Sequence, residues 1–220
     1  MRNRWWPAPA VGVALLCTWI VSDLSGGGRH DLADFDPHAV ARLETAMWRS
    51  YYAHERVRLF AELSELLRAQ YHLGFWGSCV GAYHAARAAV VFQGGHGRAE
   101  YERALPDLQS FYRLIRKGSS EPFQVDDVAR RELEWWIVHR ERARHQPRDL
   151  ERALASLQAG VYRQPEAAFA DHARARAEAM VLCDAGNEAG FVSEEDWMRI
   201  GILLDRSWSS LRASVSGAAK

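Results

Sequence analysis

An uncharged apolar run near the amino terminus constrains this chain more than any other sequence feature. Residues 5–21 carry no charged side chain, and Arg2 and Arg4 stand in front of them. In a helix these seventeen residues would span roughly 25 Å, close to the shortest helix that crosses a lipid bilayer. The run therefore predicts an N-terminal transmembrane helix that contacts the lipid bilayer through residues 5–21.

The charges around this run predict how the chain is oriented. Basic residues favour the cytoplasmic side of a membrane, so the amino terminus is expected in the cytoplasm. On this interpretation residues 1–24 form an uncleaved signal-anchor, residues 25–35 a linker and residues 36–220 a helical extracytoplasmic domain. The chain is then a single-pass protein of the bacterial inner (plasma) membrane that faces the periplasm. A cleaved signal peptide, for which no small-x-small site follows Val21, and a buried helix of a soluble protein are the alternatives.

Composition limits the classes of partner. The chain has 28 basic and 28 acidic residues, so its formal net charge is zero. Nucleic-acid binding depends on an excess of positive charge, and no nucleic-acid partner is predicted. Cys79 and Cys183 lie in the predicted outer domain, where an oxidising compartment would permit a disulfide. Two buried free thiols are the alternative that we favour, because spacing alone does not show that the residues meet.

Helical periodicity, with no sustained alternation of period two, predicts an all-α domain after the anchor. We expect an irregular bundle of about seven mostly antiparallel helices joined by short loops. Asp36 should cap the first of them and Ser193 the last, since both residue types accept hydrogen bonds from the first turn. The predicted helices cover residues 37–71, 76–92, 99–116 with a kink or a restart at Pro106, 126–144, a segment from 147, 165–185 and a segment from 193.

The second predicted helix, residues 76–92, is apolar almost all round, which indicates burial in the middle of the domain. His84 and Arg87 are its strongly polar residues, and at a spacing of three they share one face. If buried, both need partners, because an unpaired buried charge is destabilising. They could form a structural network or a pocket for an anion or small ligand, with a carboxylate supplied by Glu132, Glu134 or Glu178.

A second set of candidates lies on later helices. Trp135 and Trp136 stand between Glu132 and His139, an arrangement that could line a ligand groove or simply pack in the core. Arg176 lines up with apolar neighbours and can reach inward. The full set of candidate ligand-binding residues is His84, Arg87, Glu132, His139, Arg176 and Glu178.

Motifs for chemistry are missing from the sequence. Glu-x-x-His pairs of di-iron bundles, zinc-binding cysteine and histidine spacings, nucleophile elbows and phosphate-binding loops do not occur. We therefore predict no catalytic residue, metal or cofactor, which argues against an enzyme without excluding one.

Two functions of different class fit these features. The first is a membrane-anchored helical accessory or scaffold protein that mediates a protein–protein interaction at the extracytoplasmic face. The alternative is a small-molecule or cofactor-binding helical protein with a polar pocket around His84, Arg87, Glu132 and His139. Convergent unpaired polar groups in a cavity would favour the alternative, and a closed core with these groups paired would favour the first.

Overall fold

The computed structural model describes residues 8–25 and 28–217, and in these ranges the chain is helical apart from loops. An isolated bridge joins His30 to Ser119, and no strand forms within the described ranges, so the all-α prediction is confirmed. The basic and tryptophan residues before position 8 lie outside this part. The helices are α1 (Ala8–Ser25), α2 (Pro37–Tyr52), α3 (Arg56–Tyr71), α4 (Phe75–Gly94), α5 (Arg98–Tyr101), α6 (Leu105–Gly118), α7 (Val125–Arg140), α8 (Asp149–Tyr162), α9 (Ala170–Glu188) and α10 (Glu194–Ser216).

The helices after α1 close into a ring. From α2 to α4, and from α6 to α10, each helix packs on the next one in the chain, and the short α5 bridges α4 to α7. The ring closes because α6 packs on α4 and α10 returns to pack on α2. Large buried side chains such as Leu108, Ile115, Leu154 and Phe169 fill the interior. Burial of this kind stabilises a domain by roughly 1.5–3 kcal/mol for each large apolar side chain.

Local sequence signals set several helix ends as predicted. The Asp36 carboxylate accepts hydrogen bonds from the backbone of His38 and Ala39, and Ser193 accepts one from Asp196. Pro106 lies in the first turn of α6, after a short 3-10 segment, and so restarts the helix. These are the positions where a side-chain oxygen or a fixed φ angle is most favourable.

The predicted long helix over residues 37–71 is two helices. It breaks between α2 and α3 at His54, which adopts the left-handed conformation with φ of 59°. The Glu55 amide bonds back to the Ser50 carbonyl, which ends α2 and reverses the chain. This break and the separate α5 raise the number of described helices after α1 from about seven to nine.

The prediction that residues 76–92 are buried in the middle of the domain is wrong in part. Helix α4 packs on α3 and α6 but leaves its outer face in solvent, where Tyr83 and Val90 are 51% and 68% exposed. Its inner face carries Gly81, Ala82 and other small residues, so the neighbouring helices approach closely there. The uniform apolar character of this helix therefore reflects one buried face and one exposed apolar face.

Helix α1 covers most of the predicted anchor. Across residues 8–25 and 28–217, the structure contains no helix with both the length and the apolar character needed to cross a membrane. The prediction of a transmembrane helix over residues 5–21 is thus not supported by the structure.

Candidate functional site

His84 and Arg87 meet a carboxylate that the sequence did not suggest. The Nδ1 atom of His84 lies 3.0 Å from one Asp107 oxygen, and the Nε of Arg87 lies 3.1 Å from the other. Asp107 is buried in the first turn of α6, whereas the Arg87 side chain is 59% exposed and also donates to the Tyr83 hydroxyl. This cluster ties α4 to α6 at the surface, and Arg87 is not buried as its sequence context had indicated.

Glu132 lies in a different cluster, in the interior of the ring. Its carboxylate accepts hydrogen bonds from the Tyr112 hydroxyl at 2.8 Å and from the Trp136 indole at 2.9 Å. Burial raises the pKa of the Glu132 carboxyl, while these hydrogen bonds and the charge of Arg176 act in the opposite direction. Trp135, the other tryptophan of the pair, keeps its buried indole nitrogen without a hydrogen-bond partner in the described part of the chain.

His139 belongs to a third cluster, which joins α7 to α9. Its Nε2 lies 2.9 Å from Asp184, and that carboxylate also accepts a hydrogen bond from Tyr52 and pairs with Arg142. Burial opposes ionisation of Asp184, but the hydrogen bond and charge of His139, with Arg142, keep the pKa of this carboxyl below its ordinary value. His84, Glu132 and His139 therefore do not converge on one pocket.

The most buried ion pair of the ring joins Arg176 to Glu44. The guanidinium donates to both carboxylate oxygens, and the Trp208 indole donates to the same carboxylate at 2.6 Å. The Arg176 guanidinium also lies 5.9 Å and 5.8 Å from the ring centres of Trp48 and Trp208. Burial opposes the charge on Arg176, but the adjacent Glu44 carboxylate raises the pKa of the guanidinium above its ordinary value.

Arg176 and Glu178, two neighbouring candidates on α9, lie in different environments. Arg176 reaches inward to Glu44, which lies on the apolar stripe of α2 beside Val40. Glu178 is exposed, and the nearby Arg174 pairs with Asp171 rather than with Glu178. Sequence reasoning did not select Glu44, although an acidic residue within an apolar helical stripe is a signal for a buried ion pair.

His172 is a further buried polar residue that sequence reasoning did not select. Its ring is fully buried beside Trp208, with Nδ1 2.8 Å from the Ser207 hydroxyl. The Nε2 atom has no hydrogen-bond partner in the described part of the chain. Burial is the main cause that lowers the pKa of His172 to about 3, and the nearby charge of Arg176 adds to it. The imidazole is therefore neutral at pH 7.

Two hollows on the surface lie away from all six candidate residues. One, of about 480 Å³, is lined by Phe123, Arg131 and Arg163 among others, and the second, of about 390 Å³, lies between α2 and α10. Within residues 8–25 and 28–217, no group of three or more His, Cys, Asp or Glu side chains is arranged to hold a metal ion. Cys79 and Cys183 are free thiols, and burial raises the pKa of Cys183 to about 11.

The most unusual surface of the molecule belongs to α1. Every described side chain from Gly12 to Trp19 is exposed, including Val13 at 60% and Leu15 at 66%. The helix contacts the body near its carboxyl-terminal end, where Trp19 and Asp23 meet the start of α4. An apolar helix with its side chains in solvent is unfavourable by about 25 cal/mol for each Å² of apolar area, so a nonpolar environment is expected to cover it.

The carboxyl-terminal end of α1 is fixed to the body by the Asp23 side chain. Asp23 accepts hydrogen bonds from the backbone amides of Phe75, Trp76 and Gly77 at 3.0, 2.8 and 3.0 Å. It therefore caps α4 from another helix and satisfies amides that α4 leaves unpaired at its own start. Gly74 permits this approach, since a Cβ at that position would collide with the Asp23 carboxylate.

Aromatic rings surround this junction. Trp19 stacks on Phe75 with ring centres 5.7 Å apart and meets Trp76 edge-on at 5.5 Å. Tryptophan rings favour the boundary between lipid and water, where an apolar body and a polar edge can both be satisfied. The exposed apolar helix and the aromatic cluster at its base together form the strongest candidate for a functional surface.

No protein-family model, curated protein or solved structure matches this chain in the comparisons made.

Proposed function

We propose that the chain is a helical accessory protein that is attached to a membrane through α1 and presents its ring of helices to a protein partner. The observation that carries the proposal is the exposed apolar surface of α1, described from Gly12 to Trp19. In lipid these side chains would leave water, and the aromatic cluster of Trp19, Phe75 and Trp76 would lie at the level of the headgroups.

The orientation follows from the basic residues in front of α1. Arg2 and Arg4 favour the cytoplasmic side, so we expect the body on the extracytoplasmic side of the inner membrane, with residues 5–21, which begin before the described part of the chain, as a single-pass anchor. Protease added to spheroplasts should then digest the body while a cytoplasmic marker stays intact. Protection of the body under these conditions would reverse the proposed orientation.

Flotation of the full chain with phosphatidylcholine vesicles tests the attachment. We expect the unmodified chain to float with the vesicles, and the double variant Leu15→Glu/Leu16→Glu to bind at least roughly a hundredfold more weakly, since each buried leucine contributes about 1.5–3 kcal/mol. The matched control is Met198→Glu/Ile202→Glu, which changes two exposed apolar side chains of α10. Equal flotation of the two variants, or no flotation of the unmodified chain, would refute attachment through α1.

The partner-binding part of the proposal has separate support. The α9–α10 hairpin exposes Val181, Phe191, Met198 and Ile202, with Ile202 69% exposed. Exposed apolar side chains of this kind are typical of protein interfaces. We expect the Met198→Glu/Ile202→Glu variant to lose proteins that co-purify with the unmodified chain from gently solubilised membranes, while it still floats with vesicles. An unchanged set of co-purifying proteins would argue against this hairpin as the interface.

The alternative function, a small-molecule pocket around His84, Arg87, Glu132 and His139, is not favoured by a specific observation. These four residues fall into three separate clusters, each with its own carboxylate or hydroxyl partner. Mass spectrometry of small molecules that co-purify with the chain would test it, and a stoichiometric bound compound would revive it.

A further inference from the structure

Four basic side chains lie where α1 leaves the body. Lys117, at the end of α6, donates from Nζ to the Leu24 carbonyl at 2.7 Å, which places it beside the last turn of α1. Arg113 and Arg116 precede it by four and one residues, so all three lie within the last two turns of α6. Lys117 and Arg113 are exposed, and Arg116 is half-buried.

The fourth basic residue comes from the segment that follows α1. The His30 amide bonds to the Gly118 carbonyl at 2.8 Å, and the Ser120 amide bonds back to the His30 carbonyl at 2.9 Å. These two hydrogen bonds hold the segment along the end of α6, and they place the exposed Arg29 next to it. We refer to Arg29, Arg113, Arg116 and Lys117 as the basic collar.

The charges of the basic collar are not neutralised by the body. In the described part of the chain, none of its four side chains lies within 4 Å of a carboxylate. Asp23, the acidic residue of α1, is occupied by three backbone amides of α4. The charge of Arg116 acts on the Glu121 carboxyl and opposes the rise in its pKa, but the two groups are not paired.

We propose that the basic collar binds the headgroups of anionic phospholipids while α1 lies in the hydrocarbon region. The inference rests on the proposed attachment of α1 and names the lipid chemistry that the attachment selects. A cation beside an anionic lipid surface contributes about 1 kcal/mol, or roughly fivefold in partitioning, and an apolar anchor with adjacent basic residues is a recurrent way to hold a protein at a membrane.

The test compares binding of the full chain to neutral phosphatidylcholine vesicles and to vesicles that also contain phosphatidylglycerol. We expect at least about 30-fold tighter binding to the anionic vesicles at low salt, and a loss of this preference when salt shortens the Debye length to about 3 Å. The variant Arg29→Gln/Arg113→Gln should bind the anionic vesicles roughly 30-fold more weakly, from two factors of about five. Its binding to neutral vesicles should not change.

A matched control separates the collar from charge in general. The variant Arg148→Gln/Arg206→Gln also removes two exposed arginines that have no carboxylate partner among the described residues. Arg148 lies at the start of α8 and Arg206 in α10, and neither helix packs on α1. It should keep the preference for anionic vesicles. Because neither pair includes Lys117, the contact with the Leu24 carbonyl is preserved in both variants.

The outcomes distinguish this inference from the proposed function. Equal binding to neutral and anionic vesicles, or equal effects of the two double variants, would overturn the collar and leave the attachment of α1 standing. Binding of the Leu15→Glu/Leu16→Glu variant to neutral vesicles as tightly as the unmodified chain would overturn the insertion of α1. No binding to either vesicle would overturn both.

Discussion

His172 should make the stability of this protein fall sharply in mild acid. The folded chain holds the His172 pKa at about 3, whereas the ordinary value is 6.5. A depressed pKa means that the unfolded state binds the proton first, so the contribution of this group is complete above pH 6.5 and is lost as the pH falls towards 3. Each pH unit in that window corresponds to about 1.4 kcal/mol.

The size of the effect follows from those two pKa values. At pH 4.5, two units below the ordinary value, the loss from His172 is about 3 kcal/mol, and over the full window it approaches roughly 5 kcal/mol. We expect His172→Gln to remove this loss, because glutamine does not titrate. Urea unfolding followed by tryptophan fluorescence at pH 7 and pH 4.5 gives the two free energies of unfolding for each protein.

The decisive quantity is how much free energy of unfolding each protein loses between pH 7 and pH 4.5, compared between the unmodified chain and His172→Gln. Carboxylates also titrate in this range, but they contribute equally to both chains and cancel. His96→Gln, at an exposed histidine, is the matched control and should lose stability between the two pH values as the unmodified chain does. If His172→Gln loses as much as the unmodified chain, the imidazole is not held neutral in the interior and the reasoning is refuted.

Two further substitutions test the ion pair of the interior and the cap of α4. Glu44→Ala should lower the free energy of unfolding by about 3–5 kcal/mol, because it leaves Arg176 buried without its partner. Replacing both residues by methionine should recover most of this loss. Urea midpoints measure both variants, and a loss near zero for Glu44→Ala would contradict the burial of the pair. Asp23→Ala should cost about 1 kcal/mol and speed hydrogen exchange at the amides of residues 75–77. Asp171→Ala breaks only an exposed pair, so it serves as the control for both and should change stability by less than about 1 kcal/mol.

Much of the fold could be predicted because its signals are local. The Asp36 cap, the Ser193 cap and the restart at Pro106 each depend on a few consecutive residues, and the structure confirms them. The break at His54 escaped prediction, because neither Gly nor Pro marks it and a histidine adopts the left-handed conformation there. The partial exposure of α4 escaped as well, since periodicity shows that both its faces are apolar but not how many neighbouring helices cover them.

The candidate residues show a sharper limit. The sequence left open whether Arg176 reaches inward, because its partner Glu44 lies 132 positions away and sequence spacing does not reveal contacts at that distance. The same holds for Asp107 beside His84, and for Asp184 beside His139, where the partner helix was unknown. Residue type predicted that these groups need partners, whereas only the packing of the ring decides which carboxylates supply them and whether the groups converge.

The contact between α1 and α4 decides which experiment can isolate the role of α1. A deletion of residues 1–28 would remove the exposed apolar surface, but it would also remove Asp23 and leave the first amides of α4 unpaired. Loss of membrane binding and loss of local structure would then occur together, and either could explain a changed partner set. Substitutions at Leu15 and Leu16 avoid this, because both side chains are exposed and lie before the turns that contact the body. Asp23→Ala makes the complementary change, since it weakens the cap and keeps the apolar surface. The two variants are compared separately. If both lose partner binding but only Leu15→Glu/Leu16→Glu loses flotation, α1 stabilises the start of α4 as well as attaching the protein to lipid.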